Sequence, residues 1–117
     1  MTDKELLELA AKAAGIKIKP MQVNNVTKQG DNQFIGYMTD IEQWPRGWFN
    51  PLTDDGDALR LAVKLGLHPK VDYSNDVVFC EFTKDGDEVT EGLLNDPYAA
   101  TRRAIVRAAA EIGRQME

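Results

Sequence analysis

Residues able to do chemistry are few. The 117-residue chain contains one histidine, His68, and one cysteine, Cys80. A nucleophilic Cys–His pair needs the two side chains within hydrogen-bond reach, which their places in the chain do not decide. Cys80 lies in the run Val77-Val78-Phe79-Cys80-Glu81-Phe82. Alternation puts Val78, Cys80 and Phe82 on one face and Val77 and Phe79 on the other, so a buried, inert thiol is expected. His68 stands before Pro69, just past a helix end, where an imidazole is favourable without any catalytic role. No catalytic residue follows from these positions, and an enzyme is not expected.

The acidic residues raise the question of a metal. Asp54-Asp55-Gly56-Asp57 and Asp85-Gly86-Asp87-Glu88, with Glu91 nearby, supply oxygen ligands. Neither has the ligand spacing or closing glutamate of a calcium loop. The first reads as a helix cap with charges matched to the helix dipole, and the second as a tight turn. A lone cysteine offers no zinc spacing. The glycines do not form a phosphate-cradling loop, so neither a metal nor a cofactor is expected.

Arg102, Arg103 and Arg107, with Arg114, fall along one side of a C-terminal helix. They form either an anion-binding stripe or a solvated helix face, and Glu111 is placed to pair with Arg107. The formal net charge of −5 argues against holding nucleic acid through phosphate contacts. Charge is also uneven. From Asp72 to Asp96 there are eight acids against one base, Lys84, whereas Pro97 to Glu117 carries a net +2. An acidic surface of this kind either meets a basic protein partner or serves solubility.

Trp44-Pro45-Arg46-Gly47-Trp48-Phe49-Asn50-Pro51 is the most unusual segment. Its prolines and glycine forbid a regular helix, so it must be a shaped loop, with room for a one- or two-residue strand at Trp48-Phe49. Trp44, Trp48, Phe49 and Asn50, with Tyr37 or Tyr98, are the candidate binding residues. Aromatics in such a loop either anchor an interface or close a small core, and the sequence leaves both open.

These groups are carried by a recognisable order of elements. Thr2 and Glu5 have capping-box spacing, Leu6, Leu9, Ala10 and Ala13 form a helical stripe, and Gly15 supplies the stop. Ile16 to Lys19 alternates like a short strand ended by Pro20. Met21 to Gln33 reads as a loop or ragged hairpin arm, and Phe34 to Met38 as a strand. A second helix starts at Asp54 or Thr53 and ends at Gly66. Its Ala58, Leu59, Leu61, Ala62, Val63 and Leu65 predict burial over much of its circumference. Val71 to Tyr73 and Val77 to Thr83 read as strands joined by Ser74-Asn75-Asp76. Lys84 to Asp87 is a second turn, and Glu88 to Leu94 returns. Asp96-Pro97 opens the last helix, with Ala100, Ala104, Ile105, Ala108 and Ile112 on its buried face.

The order predicts a single α+β domain over residues 1–117, with an antiparallel-rich sheet and three helices. Three helices crowd one face of a short sheet, which favours an α–β–α sandwich over a two-layer α+β arrangement. Hydrophobic residues at 43% suffice for a core without disulfides. The start, Met1-Thr2-Asp3-Lys4-Glu5, lacks a basic and apolar leader, and no run is long enough to span a bilayer. A soluble protein of the host cytoplasm is expected, with no membrane partner.

Three blocks of the sequence resemble a family. They are Glu5 to Gly15, Trp48-Phe49-Asn50-Pro51-Leu52-Thr53-Asp54-Asp55-Gly56-Asp57-Ala58 through Leu65, and Asp96-Pro97-Tyr98 through Ala108. Together they are similar to small proteins of tailed bacteriophages and prophages described as a phage α–β–α sandwich domain, a group of unknown function. The blocks cover roughly half the chain and hold all three helices. Met21 to Trp44 departs from the group's pattern, and Phe49 is an insertion in its Trp-Asn-Pro. The resemblance implies a phage or prophage origin, the sandwich fold and an accessory role, and carries over no catalytic residue. The expected function is a non-enzymatic protein-interaction module contacting a host or phage protein. A small-molecule or nucleotide binder using Arg102, Arg103 and Arg107 is the alternative, and a homodimer is left open.

Overall fold

The first helix, α1, runs Asp3–Ala14 behind a complete capping box. The Thr2 hydroxyl accepts from the Glu5 amide, the Glu5 carboxylate accepts from the Thr2 amide, and Gly15 closes the helix at φ 72°. Helix α2 spans Asp55–Leu65, with Asp54 rather than Thr53 as its cap and Gly66 at φ 67° as its stop. Helix α3 spans Pro97–Gln115, capped by the Asp96 carboxylate on the Ala99 amide. The structure is a computed structural model that describes residues 1–25 and 31–116.

The strands form two antiparallel three-stranded sheets. In the first, β1 (Lys19–Asn25), β2 (Asp31–Met38) and β3 (Trp48–Phe49) pair in that order. In the second, β4 (His68–Asp72), β5 (Val77–Glu81) and β6 (Glu88–Gly92) form a meander in chain order. The α+β class, the antiparallel strands and the three helices are as the sequence predicts. Helix α3 is central: it meets all three strands of the second sheet, and α1 and α2 pack against it.

Several boundaries differ from the sequence reading, each for a physical reason. The short strand expected over Ile16–Lys19 begins instead at Lys19 and passes through Pro20. β1 is an edge strand, where a missing N–H does little harm. Of the two readings of Met21 to Gln33, loop or ragged hairpin arm, the described residues Met21–Asn25 and Asp31–Gln33 take the second, and residues 26–30 lie outside the described residues. β4 starts at His68 and includes Pro69, again on an edge. β5 stops at Glu81 and β6 at Gly92, both short of expectation. The Trp44–Pro51 loop does contain a tight 3-10 turn, Pro45–Gly47, followed by the two-residue strand.

The core centres on α3. Its buried positions include Val106, Ala109, Ala110 and Gly113 beyond those expected, because both α1 and the second sheet cover it. On α1 the buried stripe is Leu6, Leu7, Ala10, Ala11 and Ala14, rotated from the predicted one, with Leu9 and Ala13 at its margin. Gly113 shows how close α1 and α3 lie: a Cβ there would stand 2.0 Å from the Leu9 carbonyl oxygen. Small residues let two helix backbones approach to this distance, which larger side chains would forbid.

Candidate functional site

The reactive side chains do not converge. Cys80 pairs across strands with Pro69, and His68 with Glu81, so alternation sends the thiol into the core and the imidazole to the exposed face. Burial raises the Cys80 thiol from 9.0 to about 11, which keeps it protonated and unreactive. Among the described residues no group of three or more His, Cys, Asp or Glu side chains could hold a metal ion.

The acidic clusters serve the backbone. Asp54 Oδ2 accepts from the Asp57 amide at 2.8 Å and from Arg46 at 3.2 Å, and the backbone hydrogen bond chiefly lowers the Asp54 pKa. Asp57 is 1% exposed; its carboxylate accepts from the Asn50 amide at 2.8 Å and from Arg60 at 3.3 Å. It therefore ties the Trp48–Asn50 stretch to the first turn of α2. In the second hairpin, Asp87 exchanges hydrogen bonds with Thr83 across the Lys84–Gly86 turn.

The three arginines of the predicted anion stripe are braces. Arg102 donates to the Leu52 carbonyl at 2.9 Å and to Asp55 at 2.6 Å, tying α3 to the start of α2. Arg103 reaches Asp3 at 3.0 Å, tying α3 to α1. Arg107 pairs with Glu91 and donates to the Thr90 carbonyl, tying α3 to β6. Glu111 pairs with Arg114 rather than Arg107. A phosphate would have to compete with a carboxylate at each guanidinium.

The aromatic loop divides between the two readings left open by the sequence. Trp44 and Phe49 are buried in edge-to-face contact, their centroids 5.2 Å apart, and belong to the core. Trp48 is half-buried. Its ring covers Gly36, where a Cβ would come within 3.2 Å of it, so it packs on the hairpin as an aromatic over a glycine. Asn50 is half-buried, and its amide and carbonyl are both spent: the carbonyl accepts from the Thr53 and Asp54 amides. Tyr37 is buried as well.

An open, largely apolar surface lies elsewhere. A groove of about 420 Å³ runs between α2, α3 and the inner face of edge strand β4. Ala58, Leu59 and Ala62 of α2, Pro69, Val71 and Tyr73 from β4 and its turn, and Tyr98 and Ile105 of α3 form most of its lining. Leu59 is 64% exposed, Tyr73 75% and Tyr98 70%; Val63, one turn beyond Leu59 on α2, is 73% exposed. The only charged side chains in the lining are Asp55 and Arg102, which bind each other. This corrects the expectation that α2 is buried over much of its circumference: Leu59 and Val63 are apolar but face solvent. The sequence shows only that α2 has more apolar side chains than one buried stripe needs; which of them stay in solvent is decided by packing. Tyr98 stands among the sequence candidates, whereas Tyr73 reads in the sequence only as the end of the Val71–Tyr73 strand.

Comparison of the chain with known protein families, characterised proteins and solved structures finds no match. Among the described residues no helix is long and apolar enough to cross a membrane.

Proposed function

We propose that this protein is a non-enzymatic interaction module, an accessory protein of phage or prophage origin that acts in the host cytoplasm by contact with a host or phage protein. The observation that carries the reading is the groove beneath Leu59, Tyr73 and Tyr98. Folded chains seldom leave several large apolar side chains in solvent around one concavity unless another molecule covers them. Aromatic side chains at the edge of a groove are also typical interface anchors. On this reading the groove between α2, β4 and α3 is the better candidate for the working surface than the Trp44–Asn50 loop, whose Trp44 and Phe49 are buried. The phage setting rests on the sequence resemblance at α1, at Trp48–Leu65 and at the start of α3. Nucleotide binding has less support, because Arg102, Arg103 and Arg107 already hold carboxylates.

The test is native mass spectrometry of protein purified gently from a bacterial host, comparing the natural chain with Leu59→Lys. A protein complex that forms with the natural chain and is lost in Leu59→Lys, with the circular dichroism unchanged, supports the reading. A complex that survives the substitution moves the working surface elsewhere.

A further inference from the structure

The groove is neutral, although the chain carries a formal charge of −5. Asp55 and Arg102 are the charged side chains in its lining, and they are joined at 2.6 Å. A partner chosen by its charge would find no unpaired ion here to recognise. An identical surface meets the same requirement from both sides. In a two-fold contact a patch faces itself, so net charge on it would repel, and a neutral apolar patch does not.

The shape also suits a second copy. The patch is concave along α2 and β4 and carries two aromatic rings, Tyr73 and Tyr98, that stand mostly in solvent. Protruding rings beside a concavity on one patch allow that patch to meet its own copy across a two-fold axis. The exposed area of the lining residues Leu59, Val71, Tyr73 and Tyr98 is on the order of 500 Å², more than half of the ~800 Å² that each partner gives to a standard stable interface. β4 is the edge of its sheet, and Pro69 has no N–H to give to an added strand, so contact through side chains is favoured over sheet extension.

We infer that the groove is the interface of a two-fold homodimer in which Tyr73 and Tyr98 of each copy fill the groove of the other. The inference rests on the reading of this surface as a protein-docking face and names its occupant.

The experiment is light scattering coupled to size exclusion on the full chain, beside Tyr98→Asp and the double variant Tyr73→Asp/Tyr98→Asp. Both tyrosines are mostly exposed, so the variants keep the fold, and circular dichroism verifies it. Tyr98→Phe is the conservative control. The expected result is twice the 13.1 kDa chain mass for the natural protein and Tyr98→Phe, and the single-chain mass for the aspartate variants. A natural chain that runs at the single mass overturns the homodimer. So does a dimer that the double variant leaves intact. A single-mass chain that captures a different protein, and loses it in the double variant, removes the second copy while sustaining the docking face. A dimer insensitive to the double variant, with no other protein captured, removes both.

Discussion

The Asp57 carboxylate accepts a hydrogen bond at 2.8 Å from the backbone amide of Asn50, inside the protein, and this contact joins the aromatic loop to α2. The loop needs such a tie. It bends through Arg46 at φ 67° and Gly47 at φ 70°, and a residue with a side chain enters the left-handed region at a cost of about 1–3 kcal/mol that surrounding contacts must offset. Asp57→Ala leaves the Asn50 amide buried without a partner, which costs roughly 1–3 kcal/mol. Asp57→Asn keeps an acceptor and is expected to cost less. Urea denaturation of the two variants checks this order; equal midpoints for Asp57→Ala and the natural protein would sink it.

Gly113 of α3 and Leu9 of α1 make the second prediction. A methyl group at position 113 overlaps the Leu9 backbone, and backbone cannot rotate aside as a side chain can. Gly113→Ala is expected to destabilise the protein by about 3 kcal/mol, at the upper end of overpacking costs, although alanine is the better helix former. Thermal melting is the measurement. A stabilised variant would mean the helices can separate freely.

Alkaline pH is expected to weaken the fold. Burial raises Cys80 from 9.0 to about 11. Burial, then the hydrogen bond to Glu8 and its charge, raise Tyr37 from 10.0 to about 12. Both groups hold their protons more firmly folded than unfolded. The stability this gives is complete below about pH 9. It is lost as pH rises through 9–11 for Cys80 and 10–12 for Tyr37. Denaturant midpoints measured from pH 8 upward should fall, and Cys80→Ala should remove the lower part of that fall. A flat profile for the natural protein would contradict the assignment.

Nucleotides and inorganic phosphate are expected to leave the melting temperature unchanged, because Arg102, Arg103 and Arg107 each already bind a carboxylate. A ligand that prefers the folded state must raise the melting temperature, so a thermal-shift panel decides the matter. A saturable rise that Arg103→Ala removes would return the anion-binding reading.

Local features were legible wherever neighbours in sequence decide them. Thr2 with Glu5, Asp54 with Asp57, and Asp96 with Pro97 mark the three helix starts because a cap and its amide lie within one turn. Gly15 and Gly66 mark two ends for the same reason. The two-residue strand at Trp48-Phe49 follows from the prolines and glycine around it. The candidate site was far less legible. Arg102 reads as a free cation until Leu52 and Asp55, distant in sequence, come beside it. Trp44 and Phe49 read equally well as anchors or core until packing buries them against each other.

By itself, then, the sequence determined the α+β class, the antiparallel strands, the helix caps and the turns, since short-range hydrogen bonds and side-chain periodicity set these. Only the tertiary structure decided the division into two sheets, the central place of α3, the opposite faces of His68 and Cys80, and the exposure of Leu59, Tyr73 and Tyr98 on one groove. The physical reason is that burial and ion pairing depend on which distant segments share space. A leucine on an apolar helix and an arginine on a charged one carry no local mark of whether another element will cover them.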